Sequence, residues 1–276
     1  MKRLVIINGV MGVIGSQLFT FFAQSEDCIV YGITRKAKNF QEFVNEKGIL
    51  PKANLCFSAS DYHSNDYQKN IKTLLKSIPK IPVIFIHAMG EYLTEMDERG
   101  NIIIENDFDS DGVNDSVKKI TCDVPSFLAQ ELKGRKEKTI FVQIGSLSDQ
   151  YQLDLHKSWV TSMNILKENL KNISKEKNNF HSLILNVSSV LTPKELIERP
   201  FVSIKTDADM KYWLPPTEIA KFIDEYSKKN VKKFDELELY KKWPKISKNH
   251  FDPIFYKERR AKELFGCFLK KPRLIN

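Results

Sequence analysis

Through most of the chain, short apolar runs alternate with stretches in which apolar residues return at every third or fourth position. The runs Leu4–Asn8, Ile29–Thr34, Ala53–Ser58, Val83–His87, Thr139–Ile144 and Ser182–Val187 predict six strands. The stretches Gly15–Ser25, Asp66–Ser77, Val124–Lys133 and Lys157–Asn172 predict helices between them. Strands that are apolar along their whole length are covered on both faces, which crossover helices do for parallel strands. The pattern therefore predicts an α/β fold with a doubly wound, Rossmann-like parallel sheet. Two regions break the alternation. Residues 91–116 form an acidic insertion in which Arg99-Gly100-Asn101 suits a hairpin turn ahead of Ile102-Ile103-Ile104. The stretch Pro193–Pro216 is irregular, contains Trp213, and lies where such sheets often carry a substrate lid.

With 276 residues, the chain has room for one large α/β domain. The expected division is a main domain over 1–235 and an extension over 236–276. That extension is partly apolar, through Phe251, Ile254, Phe255, Tyr256, Leu264, Phe265, Phe268 and Leu269, and is expected to pack on the body or on a second subunit. Charge sharpens the division. Fifteen of the 43 Lys/Arg and six of the 35 Asp/Glu lie from Lys228 onward, so residues 1–227 hold 28 basic against 29 acidic side chains. The tail thus carries the whole basic excess. No nucleic-acid module signature accompanies it, and a solvated helical face is the expected reading. Cys28, Cys56, Cys122 and Cys267 have no C-x-x-C spacing, which points away from a disulfide framework or zinc site and toward a reducing, cytoplasmic setting. Met1-Lys2-Arg3 ahead of Leu4–Ala23 has the outline of a signal peptide. Glycines spaced by three, with Asn8, Ser16 and Gln17 among the apolar residues, fit a strand, a turn and a helix better, and no membrane span is expected.

The first predicted strand runs straight into Gly9-Val10-Met11-Gly12-Val13-Ile14-Gly15 and then an amphipathic helix. A glycine-rich phosphate loop needs this context. Its turn is tight, its backbone must approach a pyrophosphate closely, and the helix N-terminus offers unpaired N–H groups to the anion. Gly9, Gly12, Ile14 and Gly15 are the expected contacts. The second strand ends in Gly32-Ile33-Thr34-Arg35-Lys36, with cations where an acid would accept hydrogen bonds from the adenosine ribose. Arg35 and Lys36 therefore favour NADP(H) over NAD(H), the alternative being that both are solvated loop charges.

Further positions follow in order. The third strand is followed by Ser60-Asp61-Tyr62, the fourth ends in His87-Ala88-Met89-Gly90, and the fifth in Ile144-Gly145-Ser146. Together these resemble the short-chain dehydrogenase/reductase superfamily over about residues 1–225. The resemblance implies that Asp61 and Tyr62 lie beside the adenine, that Ala88, Met89 and Gly90 line the cofactor, and that Ser146 is the catalytic serine. The glycine spacing resembles that of the extended and atypical branches. The superfamily's Tyr-x-x-x-Lys helix aligns with His156 at the tyrosine position and Val160 at the lysine position, and its supporting Asn falls near Thr121 or Cys122. In the superfamily the tyrosine exchanges a proton with the substrate oxygen and the lysine lowers its pKa. Valine supplies no charge, whereas a histidine with an unperturbed pKa of about 6.5 can serve as acid or base unaided. His156 is thus the expected proton donor, with Tyr151, five residues after Ser146, as a second candidate. Thr192 is expected beside the nicotinamide carboxamide, and Thr217 as the N-cap of a late helix.

Asp107-Phe108-Asp109-Ser110-Asp111-Gly112 copies half of a calcium loop, but Lys118 stands where the bidentate Glu belongs, so no metal is expected. Trp159 could line a pocket or simply pack. The leading expectation is an NADP(H)-dependent oxidoreductase acting on a small carbonyl or alcohol, such as a sugar derivative or specialised metabolite, with an altered proton relay. A homodimer is expected from the superfamily's habit and the apolar tail. The alternative is a catalytically inactive NAD(P)-binding regulator or partner subunit of the same fold. A third reading is an interaction module that binds through its tail.

Overall fold

The computed structural model describes residues 2–35, 37–48, 54–58, 66–90, 95–96, 102–103, 113–146, 157–187, 190 and 214–240. Nine strands occur in chain order: β1 (Arg3–Asn8), β2 (Cys28–Thr34), β3 (Asn54–Ser58), β4 (Val83–His87), β5 (Glu95–Met96), β6 (Ile102–Ile103), β7 (Thr139–Ser146), β8 (Phe180–Val187) and β9 (Phe234–Leu239). The helices are α1 (Val13–Ala23), α2 (Ala37–Glu46), α3 (Asp66–Ser77), α4 (Asp115–Lys118), a π-helical segment Lys119–Asp123, α5 (Val124–Lys133), α6 (Lys157–Glu176) and α7 (Pro216–Lys228). Seven strands form one parallel sheet in the order β3-β2-β1-β4-β7-β8-β9, and β5 pairs antiparallel with β6.

Alternation along each strand sends side chains to two separate cores. Leu4 and Ile6 of β1 join Phe85, Phe141 and Ile184 under α3, α5 and α6. Val5 and Ile7 join Ile84, Val142 and Leu185 under α1, α2 and α7. Each helix supplies a stripe at helical spacing, such as Leu18, Phe19 and Phe22 of α1 or Leu166, Leu170 and Ile173 of α6. Burying each large apolar side chain contributes about 1.5–3 kcal/mol, which is why six near-continuous apolar strands were readable at all. Arg3 ties α7 to the start of β1 through Asp224 and through Ser227 Oγ at 2.6 Å.

The structure adds elements that periodicity did not show. β9 is an edge strand whose sequence, Phe-Asp-Glu-Leu-Glu-Leu, is too charged to read as part of a buried sheet. It is held by parallel pairing to β8, by Asn186 Nδ2 donating to Glu236 Oε1 at 2.9 Å, and by Lys167 Nζ at 2.6 Å from the same oxygen. β9 crosses the boundary expected at 235/236, and the parallel sheet extends to Leu239. Thr217 is not a cap: α7 starts at Pro216 with Pro215 at the N-cap position and no side-chain capping bond. A proline at the first helical position brings the required φ and lacks only an N–H that would be unpaired anyway. β5 and β6 agree with the expected hairpin around Arg99-Gly100-Asn101, although residues 97–101 lie outside the described residues.

Candidate dinucleotide-binding site

β1 lies between β2 and β4, so the chain leaves it toward one edge of the sheet and returns for β4 on its other side. The C-terminal ends of β1 and β4 thereby form the topological switch point at which open α/β sheets bind ligands. Gly9 turns the chain there with φ +87°, a conformation that residues with a Cβ rarely adopt. Its N–H donates to Ile33 O at 3.2 Å, and its own carbonyl accepts from Gly12 N at 2.9 Å. A Cβ on Gly15 would overlap the Gly9 carbonyl oxygen and lie 2.9 Å from the Gly9 carbonyl carbon. Gly15 therefore lets α1 sit against the turn. Gly12 is exposed, and a Cβ there would meet only Gly9 O at 3.2 Å. Gly12 also caps α1 without a side-chain hydrogen bond, and no acid occupies the first turn. The N-terminal N–H groups and the positive end of the helix dipole are left for an anion. Ile14 packs against the core beneath α1. These residues form a cradle that fits a pyrophosphate.

Sequence reasoning missed Gly32, whose Cβ would come within 2.9 Å of Val10 Cγ1 and 3.0 Å of Phe40 Cζ. A glycine inside an apolar strand was the available signal. Arg35 follows β2 directly and is exposed, at the end of the strand that borders the loop. Ala88 N donates to Asn8 O at 3.0 Å, and Met89 Cγ sits 2.5 Å from where a Gly9 Cβ would be, so the β4 turn forms one wall of the cradle. Lys36, Asp61, Tyr62, Tyr151, His156 and Thr192 lie outside the described residues, as do Trp213 and residues 241–276.

Ser146 closes β7, half-buried, in register with Val187 of β8. On α6, Trp159 packs its benzo edge onto Gly90 and is only 3% exposed. Met163, one helical turn further, is fully buried, and Val160 belongs to the same apolar core. The α6 side chain against the β4 turn is thus Trp159. Thr121 and Cys122 are buried in the π segment, and burial pushes the Cys122 thiol up to about 11.

Polar side chains continue beneath this surface. Asn8, His87 and Gln143 stand side by side on one sheet face, paired in register, and all three are buried. Asn8 Nδ2 lies 3.0 Å from His87 Nδ1, and His87 Nε2 lies 3.2 Å from Ile120 O. Burial of the ring pushes its pKa down to about 4, against a smaller upward effect of the Ile120 hydrogen bond, so the ring is neutral near pH 7. Burial likewise pushes the Tyr67 phenol, beside Asn8, well above its usual value. The sequence marks His87 only as the last residue of β4. A histidine ending an otherwise apolar strand was the one clue. Asn114, inside the partial calcium motif, instead caps α4 by accepting from Val117 N at 3.2 Å. Residues 107–112 lie outside the described residues, and no cluster of three or more metal-ligating side chains occurs among those described.

No family model matches the chain, and no curated protein sequence matches it. Solved structures do. An alcohol dehydrogenase from the archaeon Thermococcus sibiricus, solved with 5-hydroxy-NADP, aligns at 14% identity over 89% of this chain and 100% of its own, with a TM-score of 0.62. A short-chain dehydrogenase/reductase from Brucella melitensis, described as a glucose/ribitol dehydrogenase, aligns at 15% identity over 87% and 97%, TM-score 0.63. A short chain dehydrogenase from Bacillus anthracis aligns at 16% identity over 86% and 94%, TM-score 0.64. The chain has the fold of these proteins. Among the described residues, no helix is long and apolar enough to cross a membrane.

Proposed function

We propose that this chain, with the fold of short-chain dehydrogenases/reductases, binds NADP(H) across its β1–β4 crevice and acts as an oxidoreductase on a small carbonyl or alcohol. The observation that carries the reading is the cradle: Gly9 at positive φ, Gly15 in contact with the Gly9 carbonyl, and an α1 N-terminus free of any side-chain cap. Arg35, with Lys36 beside it, supports the 2′-phosphate form. When bound, the nicotinamide would supply or accept hydride. This chain's own part is to hold the pyrophosphate on the α1 N–H groups, to place Ser146 against the substrate oxygen, and to move a proton through His156, with Tyr151 as the other candidate. Asp61, Tyr62, Ala88, Met89, Gly90 and Thr192 would complete the nucleotide contacts. Cysteine usage supports a cytoplasmic setting, and the apolar residues of the tail support a homodimer.

One observation favours a second reading, a non-catalytic NAD(P)-binding regulator or partner subunit. Trp159, which packs over Gly90, can neither exchange a proton with a substrate oxygen nor carry a charge, and Val160 and Met163 are buried among apolar side chains. Calorimetric titration with NADPH, NADH and their oxidised forms tests both readings. Binding of NADPH with turnover of a carbonyl panel, reduced about a hundredfold or more in His156→Ala, supports the enzyme. Binding with no turnover supports the second reading, and no binding of any form overturns both.

A further inference from the structure

The backbone of the π segment leaves one acceptor over, and a side chain from the sheet takes it. Between Lys119 and Asp123 the helix widens, and Val124 N–H donates to Lys119 O rather than to Ile120 O. The next residue, Pro125, has no N–H to give. Ile120 O is therefore without a donor in its own helix, in a buried setting where an unpaired carbonyl is destabilising. His87 Nε2, from the end of β4, lies 3.2 Å away. A carbonyl can only accept, so Nε2 holds the ring proton. Nδ1 then keeps its lone pair and accepts from Asn8 Nδ2 at 3.0 Å. Asn8 is the last residue of β1, and Gly9 opens the glycine loop immediately after it.

The other polar groups of the segment do not share this task. Thr121 Oγ1 is buried without a hydrogen-bond partner, and Cys122 Sγ reaches only Ser126 Oγ within the same helix, at 4.0 Å. Gln143, beside His87 on the sheet, spends its amide N–H on Ile144 O and leaves Oε1 unpaired.

We infer that His87 is a positioning residue that clasps the π segment to the base of the glycine loop, so that nucleotide binding at the loop and the conformation of Lys119–Asp123 are coupled through one neutral imidazole. The coupling to nucleotide rests on the proposed function; the clasp itself does not. Loss of the ring's two polar atoms removes the donor to Ile120 O and the acceptor for Asn8 Nδ2 together. His87→Phe does this at similar shape. His87→Gln keeps one acceptor and one donor and can restore the bridge.

Amide hydrogen exchange on the full chain, with and without NADPH, reads the clasp at the π segment and the glycine loop separately. In the unliganded protein, exchange in the π segment and the turn after it should be about tenfold faster in His87→Phe than in wild type, with His87→Gln close to wild type. NADPH should slow exchange in both regions of the wild type but only in the loop of His87→Phe. Equal π-segment exchange in all three unliganded proteins overturns the clasp. Equal NADPH protection of that segment in wild type and His87→Phe overturns the coupling. Should NADPH bind no form of the protein, the proposed function and the coupling fall, while the unliganded comparison still decides the clasp. If His87→Phe does not fold, nitrogen–proton NMR of the wild-type ring decides it: a neutral ring protonated on Nε2 is expected, and protonation on Nδ1 or a charged ring at neutral pH overturns the inference.

Discussion

The indole of Trp159 lies directly over Gly90, so close that a Cβ on residue 90 would stand 2.8 Å from both Cη2 and Cζ3. The bare backbone after β4 is therefore what lets α6 close against the sheet. Gly90→Ala should destabilise the protein by about 1–3 kcal/mol through overpacking. In urea unfolding, Gly90→Ala combined with Trp159→Leu should lose less than the two single changes added together, by at least about 0.5 kcal/mol. Additive losses would mean that the ring moves aside freely.

The three loop glycines should separate by what their missing Cβ spares. Gly15→Ala forces backbone apart and should lower both the thermal midpoint, by about 2–4 °C for each kcal/mol lost, and NADPH affinity, by about tenfold or more. A Cβ on Gly12 would meet a single atom, Gly9 O at 3.2 Å, a contact relieved by a shift of a few tenths of an ångström. Gly12→Ala should therefore leave the midpoint nearly unchanged while weakening NADPH, because its Cβ would stand where the pyrophosphate approaches. Thermal scans beside calorimetry check the split, and a Gly12→Ala protein that binds NADPH normally would place the pyrophosphate elsewhere.

Arg35 is exposed at the rim, where a charge-assisted contact to a 2′-phosphate is worth about a factor of ten. Arg35→Ala should weaken NADPH by about that factor and leave NADH within about twofold. Equal weakening of the two nucleotides would show that Arg35 does not read the phosphate.

Acid should weaken the fold through His87. Its pKa is about 4 in the folded chain, below the roughly 6.5 of an unfolded histidine. The neutral ring's contribution is therefore whole above about pH 6.5 and is lost progressively as the pH falls toward 4, because the unfolded chain takes up a proton that the folded chain refuses. The groups around the ring, Asn8, Gln143, the Tyr67 phenol and the Ile120 carbonyl, stay neutral throughout that range and offer no counter-charge. Urea midpoints measured between about pH 6.5 and pH 4.5 should fall for wild type and fall less for His87→Gln. Parallel declines would assign the acid sensitivity to carboxylates alone.

The outcome at each element follows from how local its cause is. A buried parallel strand needs apolar residues in succession, so Val83–His87 could be delimited to the residue, and α3 and α5 likewise from their spacing. Gly9, Gly12 and Gly15 were legible because a tight turn between a strand and a helix demands glycine wherever it occurs. β9 was not, since charged edge residues become a strand only when β8 is there to pair with them. α2 was not, because Phe40 and Val44 are a short apolar stripe whose partner, Phe19, comes from another helix. The His87 bridge and the Trp159–Gly90 contact join residues 33 to 79 positions apart. The sequence by itself determined six strands of the sheet, their apolar faces and the glycine turn after β1, because periodicity and glycine chemistry act over a few residues. Only the tertiary structure decided that Trp159 packs over Gly90 and that His87 is buried and neutral, bridging Asn8 and Ile120, because burial and hydrogen-bond partners exist only once distant segments are packed together.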